Sequence, residues 1–211
     1  KIDPKTGTLI RDGVPSIINH DDKTGIEAAL RIKEQLGGTV TVVSMGPPQA
    51  DVALREALAM GCDEAYLVSA REFGGSDTYA TSGIIAAALK KIGYDLIITG
   101  RQAIDGDTAQ VGPQIAEKLH LAQVSYVEEV VEAAADHVVV KRQFEDGYHI
   151  IKIKTPCLLT AIAELATPRY MSVRGIVEAY EKEIKVLGFE DLKDGLELDM
   201  IGLKGSPTNV Y

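Results

Sequence analysis

The sequence contains no tryptophan, and aromatic residues make up only 5% of it. Little is left for the stacking platforms that hold sugars or unpaired bases. Cysteine is almost as scarce: Cys62 and Cys157 lie far apart with no CxxC spacing, which gives neither a zinc ribbon nor a disulfide framework and reads as two buried thiols. No apolar run approaches the roughly 18 residues that span a bilayer, and Lys1 to Pro4 lack the apolar core of a signal peptide. Positive charge is in short supply, with 22 Lys and Arg against 31 Asp and Glu for a net charge of −9. Such a surface repels nucleic-acid phosphates and anionic membranes. No nucleic acid and no membrane is therefore expected as a partner, and the chain reads as soluble and cytoplasmic. The nucleotide-binding signatures GxGxxG and GxxxxGK[ST] and the catalytic elbow GxSxG are missing. His20, His120, His137 and His149 show no metal-ligand spacing. With no evident acid, base or nucleophile, chemistry would have to come from a cofactor.

What remains is an ordinary globular composition, 45% hydrophobic and 25% charged over 211 residues, enough for one large domain or a domain with an appendage. From Asp22 onward, helical and extended patterns alternate. Cap candidates Asp21 and Asp22 precede a helix with Ile26, Ala29, Leu30 and Lys33 at helical spacing, closed by Gly37-Gly38. The β-branched run Thr39 to Met45 reads as a buried strand, Gln49 to Met60 as a helix closed by Gly61, and Glu64 to Ser69 as a second strand. Thr81, Ile84, Ile85, Ala88, Leu89 and Ile92 mark the clearest helix. Asp95 to Thr99 is the third strand, and Gln110 to Leu119 a further helix. This alternation predicts a doubly wound α/β fold with a mostly parallel sheet covered on both faces. After His120 the pattern changes to three extended runs, Val124 to Val131, His137 to Phe144 and Tyr148 to Lys154, the last two joined by Glu145-Asp146-Gly147. They predict an antiparallel hairpin annex. Cys157 to Ala161 is another short strand, Pro168 to Tyr180 leads through a loop into a helix, and the tail from Gly188 is expected to carry little core. Lys1 to Val14 reads as a small hairpin, so the first helix lacks the preceding core strand on which a doubly wound sheet normally centres. The chain as given is expected to lack one at its start.

Ligands of open α/β sheets bind beyond the carboxyl ends of the strands, near helix N-termini. Three loops there carry glycines and hydrogen-bonding side chains. The richest runs from Gly100 and Arg101 through Gln102, Ala103, Ile104, Asp105, Gly106, Asp107, Thr108, Ala109, Gln110, Val111 and Gly112 to Pro113. Asp107 or Thr108 could cap the following helix, and Thr108, Gln110 and the amides near Val111 and Gly112 could hold a pyrophosphate without lysine. A turn plus an N-cap explains the same residues equally well. In Gly74 to Ser82 capping is the better explanation, and Asn19-His20-Asp21-Asp22 is again cap or ligand site. Three such loops on one edge favour a nucleotide-sized ligand.

The stretch Gly100 to Ala116, with Leu58-Ala59-Met60-Gly61, Val140 to Thr160 and Pro168-Arg169-Tyr170, closely resembles the β subunit of electron-transfer flavoproteins, over nearly the whole chain. The resemblance implies an adenine-nucleotide-binding, Rossmann-like fold. Residues 1–165 would form the nucleotide/FAD-binding domain, with the annex at 123–160. Residues 166–211 would supply a recognition loop, a helix and an extension toward the partner subunit. It implies a heterodimer with an α subunit in a bacterial or archaeal cytoplasm. The site would hold structural AMP in non-bifurcating members and a second FAD reduced by NADH in bifurcating ones, whose Asp105-Gly106-Asp107-Thr108-Ala109-Gln110-Val111-Gly112-Pro113 pattern this chain shares. By carry-over, Asp105 to Ile115, Gln114 included, would hold diphosphate and ribose. Asn19, His20, Asp21, Asp22 and Met45 would take the adenosine side, and Asp77, Thr78, Ala80 and Thr81 would lie near flavin or NADH. Pro168, Arg169, Tyr170 and Val173 would belong to the loop that docks acyl-CoA dehydrogenases, with Val173 where the family more often has leucine. The expected function is NADH-driven electron bifurcation to ferredoxin or flavodoxin and, through the α-subunit FAD, to a butyryl-CoA-type dehydrogenase. The alternatives are an AMP-containing electron carrier and a stress-type nucleotide-binding protein.

Overall fold

The structure, a computed structural model, describes residues 16–104 and 106–196. The expected Lys1 to Val14 hairpin and Asp105 lie outside them. The fold is mixed α/β with parallel-dominated sheets, as the alternation predicts. In chain order it runs α1 (His20–Leu36), β1 (Thr41–Met45), α2 (Asp51–Met60), β2 (Glu64–Val68), α3 (Thr78–Ile92), β3 (Leu96–Gly100) and α4 (Val111–Lys118). There follow β4 (Ala122–Ala133), β5 (His137–Phe144), β6 (Gly147–Lys154), β7 (Cys157–Ala161), α5 (Val173–Glu181), β8 (Ile184–Leu187) and α6 (Phe189–Leu192). Gly37 and Gly61 end α1 and α2 with φ of 79° and 123°, backbone that side-chain-bearing residues rarely adopt.

Among the described residues the strands fall into two sheets. In one, β1, β2 and β8 are parallel. In the other the order is β3-β7-β4-β5-β6, with β3, β7 and β4 parallel and β4, β5 and β6 an antiparallel meander. The annex is thus a continuation of the second sheet. β7 lies inside that sheet and all five of its residues are buried, the near-continuous apolar pattern of a strand covered on both faces. Cys157, Leu159 and Ala161 pack with Val124, Val127, Val138 and Val140, whereas Leu158 joins Ile97, Ile115, Ala116 and Leu89. Each buried leucine contributes about 1.5–3 kcal/mol.

Two expectations on burial are corrected. β1 was expected as a buried strand, yet all five of its residues are only half-buried. Its β2 edge is paired, and among the described residues its other edge, like one edge of β3, has no strand beside it. The segment after Gly188 does carry core: Leu192 is buried, with Phe189 and Leu196 packed against Val68, Phe73 and Ile84. β8 is too short to stand out in the sequence pattern; its Ile184 to Leu187 pair with Ala65 to Val68 of β2. Both thiols are buried and free, as expected.

Candidate functional site

The carboxyl end of β3 meets the start of α1. The Gly100 amide donates to Asp22 Oδ1 at 2.5 Å, while Asn19 Nδ2 donates to Asp22 Oδ2 at 2.9 Å and to the Gln102 carbonyl at 2.8 Å. A Cβ at position 100 would stand 2.9 Å from Asn19 Nδ2 and Asp22 Cγ, so only glycine allows this approach. Burial pushes the Asp22 carboxyl pKa up, against the lowering effect of its bonds to Asn19 and Gly100. The expected caps Asp21 and Asp22 are corrected: Asn19 occupies the N-cap position and makes no side-chain cap bond. Its amide, like the Asp22 carboxylate, is spent on bracing the Gly100 loop. His20 is exposed beside them, and Asp21 Oδ2 stands 3.7 Å from Arg101 Nε.

The second loop supports its capping reading. Asp77 sits at the N-cap of α3, its side chain accepting from the Ala80 amide at 2.9 Å. The neighbouring Thr78 hydroxyl donates to Gln110 Oε1 at 2.9 Å, which ties this loop to the Gly100–Pro113 loop. Thr81 is half-buried in the first turn of α3, and Met45, half-buried at the end of β1, packs against the cluster around Val68 and Phe73. Hydrogen bonds therefore join all three candidate loops.

The third loop is strained. Asp107 and Ala109 adopt left-handed φ of 52° and 54°, a conformation that costs about 1–2 kcal/mol for a residue with a Cβ and tends to cluster at functional sites. The Asp107 amide donates to the Ala103 carbonyl at 2.9 Å, and its carboxylate accepts from Gln102 Nε2. Gly106, Asp107, Thr108 and Gln110 are exposed. The expected capping of α4 by Asp107 or Thr108 is corrected: Gln110 holds the N-cap position and no side chain caps the helix. Pro113, in the first turn, has no N–H to satisfy, so the amides of Val111 and Gly112 are the free donors at this positive end of the helix dipole. Gly112 permits the helix to lie close to the sheet, since a Cβ there would be 2.7 Å from Thr99 Oγ1 and 3.0 Å from Thr160 Cγ2. Ile115, 2% exposed, anchors the next turn.

Around this helix start, Thr99 Oγ1, Arg101 Nε and Gln114 Oε1 are shielded and have no hydrogen-bond partner among the described residues. A buried orphan of this kind costs about 1–3 kcal/mol, which a polar ligand would relieve. Free helix amides, orphaned polar atoms and close approaches at Gly100 and Gly112 fit a nucleotide diphosphate with its ribose. Sequence reading missed Thr99 and Tyr126. A bulge in β4 gives Tyr126 a φ of 59°, with its amide on Thr160 Oγ1 at 3.1 Å and its ring 6.0 Å from the Arg101 guanidinium. A bulge leaves no trace in hydrophobic alternation, so no signal could have pointed to that ring.

The expected docking residues lie apart from these loops. Pro168 and Arg169 are half-buried, and Arg169 is turned inward onto α1, whereas Tyr170 and Val173 are 101% and 81% exposed. They begin an apolar stripe that continues through Ile176, Val177 and Tyr180. Among the described residues no helix is long and apolar enough to cross a membrane.

The family model of the electron transfer flavoprotein domain matches residues 6–192. The chain is 60% identical over 211 residues to an electron transfer flavoprotein subunit beta of Thermoanaerobacterium thermosaccharolyticum, covering 100% of this chain and 80% of that protein. It is 56% identical over 213 residues to the caffeyl-CoA reductase-Etf complex subunit CarD of Acetobacterium woodii, covering 100% and 80%. It is also 56% identical over 211 residues to an acryloyl-CoA reductase electron transfer subunit gamma of Anaerotignum propionicum, covering 97% and 79%.

Proposed function

This chain belongs to the electron transfer flavoprotein family as a β subunit, and from that premise we propose that its three-loop site binds FAD and takes electrons from NADH in a heterodimer with an α subunit. The family match displaces the stress-type alternative. The observation that carries the nucleotide is the uncapped start of α4 among orphaned polar atoms. Bound FAD would supply hydride acceptance from NADH and delivery of single electrons along two routes, to ferredoxin or flavodoxin and, through the α-subunit FAD, to an acyl-CoA dehydrogenase. The chain's own residues bind and orient. The Val111 and Gly112 amides with Thr108 and Gln110 receive the diphosphate. Asn19 and Asp22 hold the Gly100–Gln102 turn rigid, and Thr78 fixes Gln110 against α3. The Asp107 carboxylate accepts from Gln102, which engages part of its charge within the loop. The relatives' names, which place one in a caffeyl-CoA reductase-Etf complex and another with acryloyl-CoA reductase, support an acyl-CoA-linked electron route. The second reading is an electron carrier that keeps structural AMP in this site.

Anaerobic titration of the purified heterodimer with NADH tests the choice. The FAD reading predicts rapid bleaching of flavin absorbance and, once ferredoxin and the dehydrogenase are added, reduction of both. A heterodimer that ignores NADH while still passing electrons to the dehydrogenase would replace it with the AMP reading.

A further inference from the structure

The apolar stripe that starts at Tyr170 begins immediately after Arg169, a cation clasped on two carboxylates of α1. Glu27, in the middle of α1, is a buried carboxylate, only 3% exposed. Arg169 Nε donates to Glu27 Oε2 at 2.7 Å, its NH2 group to Oε1 at 3.2 Å, and its backbone amide again to Oε2 at 3.2 Å. The remaining arm of the guanidinium reaches Glu34 Oε1 at 2.6 Å. Arg31 closes the group from the other side, with Nε on Glu27 Oε1 at 2.8 Å. A planar fork on a carboxylate fixes orientation as well as distance, which a lysine ammonium does not. One residue later the side chains turn outward: Tyr170 is 101% exposed, and Val173, Val177 and Tyr180 stay largely uncovered. Ser172 caps α5 by accepting from the Gly175 amide at 2.9 Å, and a Cβ at Gly175 would meet the Ala59 carbonyl at 2.8 Å, so α5 itself is seated tightly on the end of α2. The short link Tyr170-Met171 is therefore pinned at both ends, by Glu27 before it and by the start of α5 after it.

We propose that Arg169 is a positioning residue for docking: it does not touch the acyl-CoA dehydrogenase but, clasped on Glu27 and Glu34, holds the Tyr170–Val173 link in the conformation the dehydrogenase meets. The inference rests on the docking role that the family resemblance implies for this loop. The clasp belongs to the helix whose first turn braces the nucleotide loop, so the platform for docking and the platform for the nucleotide are one rigid element, α1. Without the clasp the link must be ordered at each encounter, and ordering a few rotamer-rich side chains lowers affinity by about tenfold.

The test uses the full αβ heterodimer with its dehydrogenase and compares wild type, Arg169→Ala, Arg169→Lys and the neutral pair Glu27→Gln/Arg169→Gln, which avoids leaving a buried charge unpaired if Arg169→Ala folds poorly. Turnover against dehydrogenase concentration should show KM for the dehydrogenase raised about tenfold in Arg169→Ala and in the neutral pair, with kcat and bound nucleotide unchanged. Arg169→Lys should recover part of that loss. Amide exchange at 170–173 should quicken in the same variants whether or not a dehydrogenase is present. An unchanged KM together with unchanged exchange overturns the inference, as does a fall in kcat at constant KM. If exchange quickens as predicted but the wild-type heterodimer shows no saturable dependence on dehydrogenase, the docking reading fails and the clasp stands as a local anchor only.

Discussion

Replacing Gly112 with alanine perturbs the site at the point where α4 comes nearest the sheet. The new Cβ would lie 2.7 Å from Thr99 Oγ1 and 3.0 Å from Thr160 Cγ2, where ordinary contact begins at 3.4 Å. Thr160 is 2% exposed and holds the Tyr126 amide, so it cannot swing away without breaking that bond. The helix must therefore lift by about 0.7 Å, and overpacking of this size costs about 1–3 kcal/mol. Alanine returns at most about 1 kcal/mol of helix propensity, less in a first turn. A net loss of about 1–2 kcal/mol lowers Tm by about 2–8 °C in a chain of this length. The same lift moves the Val111 and Gly112 amides off the ligand, and misaligning charge-assisted hydrogen bonds lowers nucleotide affinity by about tenfold or more. Calorimetry of the heterodimer with measurement of nucleotide retained after dialysis reads both effects. Gly106→Ala is the control for the close approach, since no atom among the described residues lies within 4 Å of its Cβ position, and it should leave Tm unchanged. A Gly112→Ala protein with wild-type Tm and full nucleotide would refute the close-approach reasoning.

Other consequences are as direct. For Glu27, burial would raise the pKa, but hydrogen bonds from Arg169 and Arg31 outweigh it and hold the carboxyl below its usual value of 4.5. A lowered native pKa gives stability that is complete above the unfolded pKa and lost as pH falls through the native one; Arg169→Ala should move the acid-unfolding midpoint upward. Burial pushes the Cys62 and Cys157 thiols up to about 11, so iodoacetamide at pH 8 should label neither until the protein unfolds. Val177→Asp, on the exposed stripe of α5, should raise KM for the dehydrogenase without changing Tm, because that side chain is 57% exposed.

Much of the fold was legible because parallel strands and their covering helices print strong periodicities. α3 and β7 follow from spacing and from an unbroken apolar run, and Gly37 and Gly61 end helices where they were expected to. β8 escaped notice because Ile184-Lys185-Val186-Leu187 is short and half-exposed, and its strand character comes from pairing with β2. The division of the described strands into two sheets leaves no mark on the pattern of β1, which records which faces are apolar and says nothing of what pairs with its edges. In the site, glycines and hydroxyls marked the right loops, but their roles depended on tertiary contact. Asn19 and Asp22 looked like caps and are braces, since β3 delivers Gly100 to them across 78 residues of chain. Gln110 looked like a ligand group and is also bonded to Thr78. Arg169 looked like a partner contact by resemblance, and only the fold reveals the buried carboxylate it grips.

Whether the start of α4 holds a second FAD is read by extracting and counting the nucleotides of the wild-type heterodimer and of a Thr108→Ala/Gln110→Ala heterodimer. Two FAD are expected per wild-type heterodimer and one in the variant, with the fold and the α-subunit FAD retained. One FAD and one AMP in the wild type, or two FAD surviving in the variant, would contradict a second FAD at this site.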